Sequence, residues 1–155
     1  MAEIYVGAAD LDRLTPTPVL FDALIEDGEA GLVFVKNLTL EDPGVRQQRV
    51  SPGWPHHLPG DVVIALTGQA GIIAMHRRGL IDHGWRGHGV RIQEARYSAP
   101  VLVGERFFTR VEIVRARRWH ANLHTRFRFR MWKIGDDGLE IETFSSQQDA
   151  MFFPG

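Results

Sequence analysis

Asp61-Val62-Val63-Ile64-Ala65-Leu66-Thr67-Gly68-Gln69-Ala70-Gly71-Ile72-Ile73-Ala74-Met75-His76-Arg77-Arg78, closed by Gly79, is the stretch on which the fold turns. It reads as one long helix over about residues 60–78. Pro59 suits the first helical position, where a missing N–H costs nothing. Arg77 and Arg78 suit the negative end of the helix dipole, and Gly79 suits the C-terminal cap. The middle is apolar almost all round, which predicts a helix buried on most sides. Gly68 and Gly71 are poor helix formers, so they point to something close against the helix: a strand, a partner helix or a ligand.

Outward from the helix the pattern changes to β. Upstream, Gly31–Leu40 is a run of β-branched and large apolar residues and reads as a strand, preceded by a turn at Asp27-Gly28-Glu29. Val19–Ile25 is apolar and fits either a short helix or a strand. Residues 41–60 hold Pro43, Pro52, Pro55 and Pro59 with Gly44, Gly53 and Gly60, a spacing that leaves only a long loop. Downstream, Gly89–Ala99, Arg106–Arg117, His120–Lys133 and Leu139–Phe153 read as strands. The third alternates plainly, with Leu123, Thr125, Phe127, Phe129 and Met131 on one face and His124, Arg126, Arg128 and Arg130 on the other. Gly135-Asp136-Asp137-Gly138 reads as a hairpin turn. The expected class is α+β: one antiparallel sheet wrapped on one helix, in a single domain over residues 1–155, with residues 1–17 a weakly patterned N-terminal extension.

Composition narrows the function. The 155 residues are 44% hydrophobic and 24% charged, as in a globular chain. With 18 Lys+Arg against 19 Asp+Glu there is no basic excess, so a general nucleic-acid binder is not expected. With no cysteine there is no thiolate nucleophile, disulfide or Cys-ligated metal. His76, His83 and His88 form no metal-binding pattern, and no metal or cofactor is expected. No apolar run reaches membrane-spanning length and Met1-Ala2-Glu3-Ile4 does not open a signal peptide, so the expected setting is cytoplasmic.

The landmarks fall in a recognisable order. They are Pro18-Val19-Leu20-Phe21-Asp22; Val35-Lys36-Asn37-Leu38-Thr39; Pro59-Gly60 with Val62-Val63-Ile64 and Gln69-Ala70-Gly71; and the segment Ala95-Arg96-Tyr97-Ser98-Ala99-Pro100-Val101-Leu102-Val103-Gly104-Glu105. Over residues 18–153 this order resembles the hotdog-fold β-hydroxyacyl-ACP dehydratases. The resemblance implies a homodimer with sheets joined edge to edge and an active site at the interface. It also locates a departure. Those dehydratases use a His just ahead of a Phe-Pro-Gly segment and an acid in the buried helix. Here Ser51-Pro52-Gly53-Trp54-Pro55 matches the segment, Val50 or Gln48 stands for the His, and Ala65 stands for the acid.

Another constellation is present. His56-His57 precedes the helix, and Gln69 follows His57 by twelve residues. The same spacing resembles the hotdog thioesterases of isonitrile-lipopeptide and β-amino-acid macrolactam biosynthesis. That resemblance implies addition of glycine to a 2-enoyl thioester on an acyl carrier protein or coenzyme A, then hydrolysis. On this reading His57 is the base, and the free N–H groups at Gly60 and Asp61 hold the oxyanion. Gln69 orients water or substrate, and Asp61 orients His57 or activates water. His56, Thr67 and Arg96 are further substrate-binding candidates, and Ala65 and Gly68 leave room for an acyl chain. Arg91 and Arg96 differ in strand parity, so at most one is expected to face the site. Arg126, Arg128 and Arg130, with Arg115, Arg117 and Arg118, form a stripe that either docks an acidic carrier or is a solvated outer face. The competing functions are a dehydratase or hydratase with relocated groups, and a non-catalytic acyl- or carrier-binding module.

Overall fold

The structure is a computed structural model that describes residues 2–155. Seven strands form one antiparallel sheet: β1 (Ala2–Gly7), β2 (Ala23–Gly28), β3 (Gly31–Asn37), β4 (Arg86–Tyr97), β5 (Arg106–Trp119), β6 (Asn122–Ile134) and β7 (Glu140–Phe153). Their order across the sheet is β1-β2-β3-β5-β6-β7-β4. A short helix α1 (Ala8–Leu11) runs into a 3-10 turn at Asp12–Leu14, and the long helix α2 spans Gly60–Arg77. No helix among the described residues is long and apolar enough to cross a membrane.

Helix α2 lies across one face of the sheet. Leu66, Ala70, Ile73, Ala74 and Met75 are completely buried, in one cluster with Phe34, Phe107, Val111, Phe129 and Met131 of the central strands. Each such large side chain contributes about 1.5–3 kcal/mol by leaving water, and this packing, not local propensity, holds a helix with two internal glycines. Those glycines have different causes. A Cβ on Gly71 would lie 3.2 Å from the Phe127 ring, so a strand side chain occupies that space. A Cβ on Gly68 would meet nothing within 4 Å. The helix ends as its sequence predicts, with Gly79 at φ +68 and N–H groups of Gly79 and Leu80 donating to the carbonyls of His76 and Met75. Pro59 is the N-cap, one position earlier than expected.

Two expectations change. Residues 2–14 are not an unpatterned extension. β1 pairs with β2, and Leu11 is fully buried in the core. Of Val19–Ile25 only the end is strand, because β2 begins at Ala23. The later strands start and end within a few residues of the sequence reading, and β6 alternates as expected, with Leu123, Thr125, Phe127, Phe129 and Met131 buried.

Candidate functional site

The loop before α2 is fixed by its own polar groups. His56 Nδ1 lies 2.8 Å from the Val45 carbonyl, and the His57 N–H donates to Gln48 Oε1 at 2.9 Å. A bridge between His57 and Leu102 ties the loop to the segment after β4, with the Leu58 N–H donating to the Val101 carbonyl at 2.8 Å. These contacts set the two imidazoles on different carbonyls, as adjacent residues of an extended segment require. His56 closes the loop. His57 lines a cavity of about 320 Å³ together with Gly60, Val63, Tyr97, Ser98, Val101, Thr143 and Phe144.

The geometry gives His57 a defined tautomer. Its Nδ1 lies 3.0 Å from the Pro55 carbonyl, which can only accept, so the ring proton sits on Nδ1 and the Nε2 lone pair is free. The first turn of α2 supplies the complementary groups. No side chain caps it; the Val62 N–H takes Asp61 Oδ1 at 3.0 Å, and the Gly60 and Asp61 N–H groups have no acceptor among the described residues. The His57 imidazole and the uncapped helix N-terminus at Gly60 therefore line one cavity, with the Asp61 N–H next along the turn.

Tyr97 belongs to this site and was not singled out from the sequence. Its hydroxyl donates to the Gly60 carbonyl at 2.9 Å and its ring packs on Phe144. Burial, and then the negative charge of Asp61, push the phenol above its ordinary value, so Tyr97 stays protonated. A register shift in β4 between Gln93 and Arg96 aims it at the helix. Glu94 sits in that shift at φ 54, and such a bulge cannot be read from alternation.

The same shift alters the reading of Arg91 and Arg96. The extra residue cancels their difference in parity: Arg91 lies opposite Asp149 and Arg96 opposite Ser145, both on the sheet face turned away from α2. Arg96 is therefore not brought to the His57 cavity. The other candidates also separate. The Asp61 carboxylate bonds the Val62 N–H, and the Pro55 carbonyl, not Asp61, holds the His57 ring. Gln69 is 6% exposed and its amide is taken up by residues 17–20: Oε1 accepts the Leu20 N–H at 2.8 Å, and Nε2 donates to the Pro18 carbonyl at 2.8 Å and Thr17 Oγ1 at 3.2 Å. At 100° per residue it stands about 80° round the helix from Asp61, on the flank where those residues cross. Thr67 is fully buried, donates to the Ile64 carbonyl at 2.7 Å and accepts from Gln148 Nε2 at 3.0 Å. Asp61, Ala65 and Gly68 form an exposed stripe along α2.

The arginine stripe on β6 is largely neutralised. Arg126 makes two bonds to Asp149 at 2.8 and 3.2 Å, Arg128 pairs with Glu112, and Arg130 pairs with Glu140 and Glu142. The acids come from the neighbouring strands, so the solvated-face reading describes these three residues.

Comparison with known proteins follows this geometry. No protein-family model matches the chain. Its sequence is 35% identical over 104 residues to the 3-hydroxyacyl-[acyl-carrier-protein] dehydratase FabZ of Yersinia enterocolitica, a match covering 65% of this chain and 60% of that protein. The chain thus spans less than two thirds of the length of the curated relatives it matches. Among solved structures it is similar to the dehydratase heterocomplex ApeI:P of Xenorhabdus doucetiae, with a TM-score of 0.65 and 16% identity over 94% of this chain and 91% of that one. It is similar also to a thioesterase family protein of Silicibacter pomeroyi, with a TM-score of 0.59 and 19% identity over 85% and 84%. The antiparallel sheet wrapped on a buried helix is the hotdog fold. Over the 104 matched residues its sequence pattern is dehydratase-like.

Proposed function

We propose that this chain hydrolyses an acyl thioester carried by an acyl carrier protein or coenzyme A. The observation that carries the proposal is His57: its Nδ1 is engaged by the Pro55 carbonyl and its free Nε2 is available beside the uncapped first turn of α2. Nε2 takes a proton from water, and the resulting hydroxide adds to the thioester carbonyl. The oxyanion is held by the Gly60 and Asp61 N–H groups. Collapse breaks the C–S bond, and the proton on His57 passes to the leaving thiolate. The Tyr97 hydroxyl, bonded to the Gly60 carbonyl, keeps that turn in place.

A finer form adds glycine to the β-carbon of a 2-enoyl thioester before hydrolysis. Its support is the His57-to-Gln69 spacing; the Gln69 amide itself is occupied by residues 17–20. A second reading, reversible dehydration of a β-hydroxyacyl thioester, is favoured by the 35% identity with the Yersinia dehydratase. Against it, Val50 or Gln48 and Ala65 occupy the positions where the resemblance implies the His and the acid.

We also propose a homodimer formed through β4. This strand ends the sheet with one edge unpaired, and Val90, Ile92 and Tyr97 on it are 54%, 48% and 55% exposed. A long exposed edge strand of this kind is a template for another strand, and a second copy supplies one.

The test is thiol release from a medium-chain 2-enoyl thioester, with and without glycine, followed by product mass. With no cysteine in the chain, a thiol reagent reads only product. Hydrolysis gives thiol, and His57→Ala lowers the rate by about 10²–10⁴. Release that requires glycine and yields an acid heavier by one glycine supports the finer form. A hydrated acyl product with no thiol overturns hydrolysis in favour of the second reading.

A further inference from the structure

The C-terminal end of α2 borders a larger cavity that none of the chemistry above uses. It has a volume of about 530 Å³, within the range of small-molecule sites. Its lining residues on α2, Ile72 and His76, lie 12 and 16 residues after Gly60, about 18–24 Å along the helix from the His57 end. Its lining carries two guanidinium and two imidazole groups, Arg13, Arg86, His76 and His83, and no carboxylate. None of these four side chains has an ion pair, or a hydrogen bond from its charged or ring nitrogens, among the described residues. The two imidazoles lie 5.5 Å apart. Asp82 faces the adjoining hollow beneath His76. No group of three potential ligands forms a metal site among the described residues.

The remaining wall is apolar. Ile72, Ile81, Trp85 and Phe152 line it, and Ile72, Gly87 and Phe152 also line a small adjoining slot of about 90 Å³ beside Gly68 and Gly71, whose lining includes Thr67, Gln148 and Asp149. The Phe152 ring packs directly on Gly87, where a Cβ would lie 2.6 Å from it, and forms a wall common to both hollows. The carbonyls of Ala74, Met75 and His76 already accept N–H groups of Arg78, Leu80 and Gly79. Burial, and then the charge of His83, hold His76 below the ordinary imidazole value, with Asp82 pulling the other way. Donors without a protein partner, three of them (Arg13, His83 and Arg86) exposed to solvent, beside an apolar wall call for a ligand with a negative head and an apolar tail.

We infer that this cavity is a second ligand site, specific for a small organic anion with an unbranched apolar tail, such as a medium-chain carboxylate. Arg13 and Arg86 hold the head, the imidazoles donate to it, and the tail enters the slot between Ile72 and Phe152. The site stands apart from the His57 chemistry and does not depend on it.

Calorimetric titration of the full chain with octanoate, octanol and inorganic phosphate tests the inference. Octanoate is expected to bind at least about tenfold more tightly than either, because charge-assisted bonds and tail burial each contribute a decade or more. Arg13→Gln and Arg86→Gln each weaken octanoate severalfold, and together about tenfold or more, while their melting temperatures and octanol binding stay put. His57→Ala leaves octanoate binding unchanged. Equal affinity for octanol means the cations recognise nothing, and equal affinity for phosphate means the slot has no part; either result overturns the inference. So does octanoate binding that survives both arginine substitutions, or that is lost in His57→Ala and therefore belongs to the other cavity.

Discussion

Gln69 separates a structural from a catalytic reading most cleanly, and Gln69→Leu is the substitution to make. Leucine keeps the volume of the side chain, so packing changes little. It removes three hydrogen bonds, at 2.8, 2.8 and 3.2 Å, to Leu20, Pro18 and Thr17. The Leu20 N–H and the Pro18 carbonyl face a side chain only 6% exposed, so they lose a partner without gaining free access to water. The Thr17 hydroxyl can turn to solvent and costs little. Two groups at about 1–2 kcal/mol each give a loss of roughly 2–4 kcal/mol. For a domain of this size that lowers the melting temperature by roughly 5–15 °C. Circular dichroism melts measure it, and thiol release well below the new midpoint measures activity, which stays within a few fold of the parent. A melting point unchanged within a degree refutes the clamp. So does a folded variant whose hydrolysis falls a hundredfold, because the amide is then acting on substrate. Gln69→Glu adds a sign test. Its carboxylate can accept the Leu20 N–H but cannot donate to Pro18, and burial raises its folded pKa. The penalty is present at neutral pH and is relieved as pH falls through that raised value.

Three other perturbations follow from the same geometry. Lys36 and Asp42 form an ion pair at 2.7 Å with both side chains nearly buried, so Asp42→Asn leaves an unpaired ammonium and costs about 3–5 kcal/mol, read by urea unfolding. The bonds from Arg126 hold Asp149 below the ordinary carboxylate range, so the pair contributes stability above the unfolded value of 3.8 that is lost as pH falls through the lower folded value. Arg126→Gln therefore moves the acid-unfolding midpoint, followed by tryptophan fluorescence, to higher pH. Gly68→Ala meets open space and improves helix propensity, which raises stability by about 0.5–1 kcal/mol. If the exposed stripe borders the acyl chain, the same change lowers turnover of longer thioesters more than of short ones, measured as a chain-length series.

Helix α2 was legible as one long apolar run between a proline and a glycine, and strands β5–β7 because buried residues recur along one face of each. The two central glycines were legible as close approaches, although only Gly71 is one. Residues 2–14 were not, because a strand with Ile4 and Val6 as its main apolar residues is defined by its partner β2, not by its own pattern. The β4 bulge escaped for the same reason: nothing in Gln93-Glu94-Ala95-Arg96 announces an inserted residue, yet it decides where Arg96 and Tyr97 point. At the candidate site, His57 and the helix mouth are neighbours in sequence, and the structure sets them on one cavity. Gln69 and Arg126 have their partners 49 to 52 and 23 residues away, and those partners came from the fold.

The pairing of β3 with β5 also governs how the molecule assembles. Asn37 registers with Arg106, so this central seam closes around roughly seventy intervening residues, which include the whole loop and α2, at an entropic cost that grows with the length enclosed. The seam cannot zip from a nearby turn as the β5–β6 and β6–β7 hairpins can. The expected order is therefore that those hairpins and α2 form first and β2–β3 dock late. Refolding belongs with slow, non-local β topologies, in milliseconds to seconds. Substitutions in the β6–β7 hairpin slow folding, while those in β2–β3 mainly speed unfolding.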